Sequence, residues 1–318
     1  MSRFTRVLSV GVALCALGTF SLTPTDANAW WGHSTYTQTR YPIVLAHGMA
    51  GFDDLFGIYQ YFHQIPGELE DGGAEVYVTQ VPQFNSTEAR GEALLAQIEE
   101  IIAVSGAQKV NIIGHSHGGL DARYVASVAP ELVASVTTVG TPHKGAELAT
   151  FLRDNLDDGG FGESVLSLFA DTLGDVLALL SGDGDSEQDS IDGLESLSAA
   201  GTAAFNRTHP AAVPDTACGE GDRVVNGVRY YSWSGDRALT NVLDLSDPLL
   251  GLSSLVYRED NDGLVGECSS HLGEVLRDDY RLNHLDQVNQ TFGLVHLFGP
   301  NPVSLFRTHA NRLKNQGL

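Results

Sequence analysis

Short apolar runs alternate along this chain with longer stretches in which apolar positions recur every three or four residues. Ile43-Val44-Leu45-Ala46, residues 75–79, Val110-Asn111-Ile112-Ile113, 133–139 and 228–233 are rich in β-branched and aromatic residues, with turn-forming residues between them, and so predict buried strands. Between them, 87–103 sets Ala93, Leu94, Ile98, Ile101 and Ile102 on one face with glutamates elsewhere, and 120–129 is helical up to Pro130. Strands interleaved with helices predict an α/β fold, a mostly parallel central sheet with helices on both faces. Residues 164–180 break the rhythm with a wide apolar stripe from Val165 to Leu180, which the pattern alone reads as an ordinary core helix. An acidic run follows at 181–190. Its Asp183-Gly184-Asp185 lacks EF-hand spacing and reads as a solvated loop.

The first residues carry Arg3 and Arg6, an apolar stretch over 7–20, and Ala27-Asn28-Ala29, the parts of a secretory leader cleaved after Ala29. The stretch is shorter than the roughly 20 residues of a membrane span. Cleavage would take Cys15 with it, and the two cysteines left in an oxidising compartment, Cys218 and Cys268, most simply form one disulfide. With 18 Lys+Arg against 40 Asp+Glu among 318 residues, the formal charge is −22, which counts against a nucleic-acid partner.

The chemistry concentrates at Gly114-His115-Ser116-His117-Gly118. A G-x-S-x-G match is weak alone, but this one joins a predicted buried strand to a predicted helix. Such a turn holds the serine in strained backbone that only small flanking residues clear, at a helix N-terminus that favours negative charge. A serine hydroxyl needs a base, and the base an orienting acid, which in this turn type follow in the order acid, then His. Of the downstream histidines, His143 lies too close to the serine to leave room for the acid. His284, in Asn283-His284-Leu285-Asp286, sits where a late loop belongs. Asp262, in the turn Asn261-Asp262-Gly263, ranks narrowly above Glu259 and Asp260 as the acid. Oxyanion donors are expected from the backbone N–H of His117 and, in the loop His47-Gly48-Met49 after the first strand, from that of Met49.

Together these segments resemble the secreted, foldase-dependent triacylglycerol lipases of the Pseudomonas/Burkholderia type. The resemblance is carried by residues 41–49 and 110–119, by Gly140-Thr141-Pro142-His143-Lys144-Gly145, by Asn261-Asp262-Gly263-Leu264-Val265-Gly266, and by 283–290 and 309–315. It implies an α/β-hydrolase fold, a Ser116, Asp262, His284 triad, and Met49 and His117 as oxyanion donors. It further implies a Cys218–Cys268 disulfide and one structural Ca2+ on the side chains of Asp244 and Asp286 and the carbonyls of Gln290 and Leu294. It makes 164–180 an amphipathic lid within a region of about 150–193, although the acidic residues 183–192 depart from less charged lid borders. The implied activity is hydrolysis of long-chain acylglycerol esters at an oil–water interface, by an exported protein that folds with a dedicated foldase. A carboxylesterase of soluble short-chain esters would use the same triad, and a non-catalytic lipid-binding protein would need none of it.

Overall fold

A computed structural model describes residues 34–49, 54–55, 59–154 and 187–318. Strands β1 (Ile43–Ala46), β2 (Val76–Thr79), β3 (Val110–His115), β4 (Val133–Val139) and β6 (Val228–Gly235) lie parallel in the order β2-β1-β3-β4-β6. A short β5 (Val224–Val225) and the last strand, β7 (Glu274–Tyr280), pair with β6, β5 antiparallel and β7 parallel. Every residue of β1, β3 and β4 is buried, including Asn111, Ser135, Thr137 and Thr138 within the otherwise largely apolar runs, because both faces of the sheet are covered. β7 escapes the hydrophobic pattern. Its Glu-Val-Leu-Arg-Asp-Asp-Tyr sequence is only partly buried, and it is held by pairing with β6 rather than by apolar alternation.

Alternation within β1 divides the core. Val44 and Ala46 pack with Leu94, Ile98, Ile112 and Val125 on one face, toward α2 (Thr87–Ser105) and α3 (His117–Val128). Ile43 and Leu45 pack with Ile65, Leu69, Phe306 and Ala310 on the other, toward α1 (Ile65–Asp71) and the C-terminal helix Pro302–Asn315. Each fully buried aliphatic side chain contributes about 1.5–3 kcal/mol relative to exposure. Helix α2 starts at Ser86, whose Oγ accepts the Ala89 N–H, and stops at Gly106, whose positive φ of 70° ends the helix.

Two boundaries differ from those the pattern predicted. Helix α3 begins at His117 rather than at 120, because its first turn, His-Gly-Gly, has no apolar period and is shaped by packing instead. The second is the acidic run after 181, which shows no apolar period yet is helical from Glu187. There α5 (Glu187–Leu197), with α4 (Glu147–Asp154) and α6 (Ala199–Thr208), packs Leu197, Ala149 and Phe205 against Leu120 of α3. The leader at 1–29, the Asp183-Gly184-Asp185 cluster and the apolar stripe at 164–180 lie outside the described residues.

Parallel pairing has one consequence for function. The C-terminal ends of β1, β3 and β4 stand side by side, with Ala46 opposite Gly114 and Gly114 opposite Thr138, so the loops leaving them converge on one edge.

Candidate active site

Ser116 occupies the sharp turn between β3 and α3 with φ 55° and ψ −127°, a conformation non-glycine residues rarely adopt. Its N–H donates to the Val139 carbonyl at 2.9 Å, and its carbonyl accepts the Gly119 N–H at 3.0 Å. The flanking glycines are steric requirements. A Cβ on Gly114 would lie 2.3 Å from the Gly118 carbonyl oxygen, and one on Gly118 would lie 2.5 Å from those of Ala46 and His47. Ser116 keeps partial solvent access while its neighbours His115 and His117 are buried.

Asp262 and His284 come together across 22 residues of sequence, with His284 Nδ1 donating to Asp262 Oδ2 at 2.8 Å. Both are buried. The acid is held from four directions. Its Oδ1 accepts the N–H groups of Leu264 (2.9 Å) and Val265 (2.8 Å), and its Oδ2 also accepts from Gln287 Nε2 (2.7 Å). The bridge between Asn261 and Gly266 closes this turn, and the His284 N–H donates to the Asp262 carbonyl at 2.9 Å, locking the two loops together. A carboxylate that holds Nδ1–H leaves Nε2 of the same imidazole free to accept a proton. No hydrogen bond joins Ser116 Oγ to His284 here, and catalytic hydrogen bonds of this kind often tighten only around substrate. Gln287 lies three residues after His284 with no local signal of a role, and only the tertiary structure brings its amide to Asp262.

The early loop is equally constrained. A Cβ on Gly48 would lie 2.7 Å from Ser116 Cβ, so the loop backbone packs directly on the serine. The Gly48 carbonyl accepts from His47 Nδ1 (2.8 Å) and Arg90 Nη2 (3.3 Å). Because the Gly48–Met49 peptide is planar and trans, pinning that carbonyl aims the Met49 N–H the opposite way. His47 is neutral, lowered to about 3 by burial and by Arg90. Arg90 is fully buried, paired with Asp121 of α3 at 2.8 Å, and also donates to the His47 carbonyl at 3.0 Å. Burial raises Asp121 to about 6 against the pull of Arg90. Arg90 was legible in principle, since it falls four residues before Leu94 on the buried face of α2, where a cation must find partners.

Behind His284, Asp244, Asp247 and Asp286 are buried close together. Asp247 is satisfied by the N–H groups of Thr240 and Asn241 and by Asn283 Nδ2. Asp244 Oδ1 accepts from Ser246, and its Oδ2 accepts from Thr291 Oγ1 at 2.9 Å. Asp286 Oδ1 has no hydrogen-bond partner, and burial, with Asp244 and Asp247 adding to it, raises this carboxyl to about 7. An unpartnered buried carboxylate oxygen beside a second carboxylate fits a hard cation. Among the described residues no three His, Cys, Asp or Glu side chains converge as a cage, so backbone oxygens such as those of Gln290 and Leu294 would have to complete the shell. Cys218 and Cys268 are joined, which ties the segment just after Asp262 to the chain ahead of β5. A cleft of about 630 Å³ bordered by Lys144, Glu147, Phe151 and Arg258 includes neither Ser116, Asp262 nor His284.

Residues 41–272 match the α/β-hydrolase fold family, a span that takes in Ser116 and Asp262 and stops before His284. A triacylglycerol lipase of Vibrio cholerae serotype O1 is 52% identical over 314 residues, covering 96% of this chain and 99% of the relative. A triacylglycerol lipase of Pseudomonas fragi is 46% identical, covering 88% and 98%. In fold alone, the mature form of the Bacillus licheniformis lipase BlEst2 superposes with a TM-score of 0.60 at 19% identity, over 86% of this chain and 92% of that one. On the length and identity of these matches, the chain belongs to the α/β-hydrolase family and, within it, to the bacterial triacylglycerol lipases.

Proposed function

We propose that this lipase hydrolyses long-chain acylglycerol esters through an acyl-enzyme on Ser116, with His284 as general base and Asp262 as its orienting acid. The observation that carries the reading is the Asp262–His284 pair, 2.8 Å apart and buried, on the loops that meet the strained Ser116 turn. His284 Nε2 takes the hydroxyl proton as Ser116 Oγ attacks the ester carbonyl. The resulting oxyanion is met by the N–H groups of Met49 and His117. The ester C–O bond then breaks, His284 returns the proton to the leaving alcohol, and water repeats the sequence on the acyl-enzyme.

A structural calcium ion is part of the same reading. Asp244 and Asp286 would hold it by their side chains, and Gln290 and Leu294 by their carbonyls. It would neutralise the buried carboxylates and brace the segment that carries His284. The basic, apolar and Ala-x-Ala parts of residues 1–29 and the resemblance of the sequence to foldase-dependent lipases support loss of residues 1–29, folding on a dedicated foldase, and a lid formed by the apolar stripe at 164–180.

Labelling with a fluorophosphonate probe tests the chemistry: the parent protein labels and Ser116→Ala does not. Rates on emulsified triolein against dissolved p-nitrophenyl butyrate test the substrate class. A clear preference for the dissolved ester would make the protein a short-chain carboxylesterase.

A further inference from the structure

Two buried residues outside the triad link all three parts of the site. His115, the last residue of β3, is fully buried, with Nδ1 2.6 Å from the Tyr61 hydroxyl and Nε2 2.9 Å from the His284 carbonyl oxygen. Tyr61 in turn accepts the Gly48 N–H at 3.0 Å. Donor and acceptor chemistry fixes every direction in this chain. A carbonyl only accepts, so the His115 proton is on Nε2. The lone pair is then on Nδ1, and Tyr61 donates its hydroxyl proton to it while its oxygen receives the Gly48 N–H. The scheme needs a neutral imidazole, and burial, reinforced by His284, lowers His115 well below the usual histidine range.

We propose that Tyr61 and His115 form a positioning bridge that holds the Met49 amide and the His284 ring in register about Ser116. The proposal rests on the catalytic roles given above. The geometry is specific to that task. One end of the bridge holds the peptide next to the oxyanion donor. The middle is the residue before the nucleophile, and the far end holds the backbone of the base itself. The tilted His115 and His284 rings, 4.5 Å apart, add a packing contact along the same line. Without the bridge, the oxyanion loop and the base loop each keep their own supports, Arg90 and Asp262, but lose their direct link to one another.

A double-mutant cycle on dissolved p-nitrophenyl butyrate provides the test. Tyr61→Phe keeps the ring and removes the hydroxyl. His115→Gln keeps a donor where Nε2 stood and loses the acceptor toward Tyr61, whereas His115→Asn keeps that acceptor and loses the donor. Each single variant is expected to lower kcat about tenfold, the scale of a sub-ångström misplacement, with KM unchanged. The rate of phosphonate inactivation should fall in parallel. Because Tyr61→Phe and His115→Gln break the same link, their combination should be no worse than either alone, while additive losses would mean two independent roles. Parental kcat in Tyr61→Phe, or a kcat loss that only tracks a lower melting temperature, would overturn the bridge. An active, label-accepting Ser116→Ala would instead overturn the catalytic reading beneath it.

Discussion

Asp262→Asn isolates the electrostatic and tautomeric contribution of the acid from its packing. Asp262 presents two oxygens to four donors: two backbone N–H groups on Oδ1, and His284 Nδ1 and Gln287 Nε2 on Oδ2. Asparagine has one acceptor oxygen. If that oxygen serves Leu264 and Val265, the new amide faces His284 and Gln287 as a donor. Gln287 can turn its amide and offer Oε1, which is buried without a partner. His284 can respond only by moving its proton to Nε2, which leaves the catalytic nitrogen unable to accept the Ser116 proton. The fold keeps its hydrogen bonds, so stability should change by no more than about 1 kcal/mol. In Ser-His-Asp sites the wrong tautomer costs about 10⁴-fold in kcat, or about 5.4 kcal/mol of barrier. Steady-state hydrolysis of p-nitrophenyl butyrate measures this, with thermal unfolding of the same samples confirming the fold. Glu259→Gln and Asp260→Asn, the rivals the sequence left open, should keep essentially parental kcat. A folded Asp262→Asn enzyme within tenfold of the parent would refute the reasoning, as would a larger loss in either rival.

Four further outcomes follow from the same structure. Chelation with EGTA, or Asp244→Ala, should lower both the melting temperature and activity, and unchanged values after chelation would remove the calcium site. In EGTA, Asp286, raised from 3.8 to about 7, makes folding favour the protonated carboxyl, so stability should decline as pH rises from about 4 to about 7. Added calcium should flatten that decline in a melting series, and a metal-free protein that gains stability over this window would contradict the assignment. Gly118→Ala forces a methyl against the Ala46 and His47 carbonyls and should destabilise by about 1–3 kcal/mol in denaturant melts, with loss of activity. Replacing Cys218 and Cys268 together by serine opens a link across 50 residues and should cost about 2–4 kcal/mol by the same assay, with an unchanged midpoint counting against a stabilising role.

The chain alone determined the layered fold and singled out Ser116 as the candidate nucleophile. Buried parallel strands read as largely apolar, β-branched runs, and the glycine-flanked serine between a strand and a helix marks its turn through local sterics. The order of acid and base narrowed the triad to a few positions. Local chemistry put Asp262 only narrowly ahead of Glu259 and Asp260 and the family resemblance pointed to it, and the fold adds the physical ground, because which carboxylate meets His284 across a loop closure is a distance that sequence spacing does not carry. The same is true of the polar network around the site. Arg90, Gln287, Tyr61 and His115 lie far apart in sequence, and each finds its partners on another element. β7 stayed hidden because its pairing with β6 needs backbone hydrogen bonds rather than an apolar period. Local steric and hydrophobic rules act within a few residues and can be read along the chain. Hydrogen bonds between loops depend on position in space, which the packed sheet alone provides.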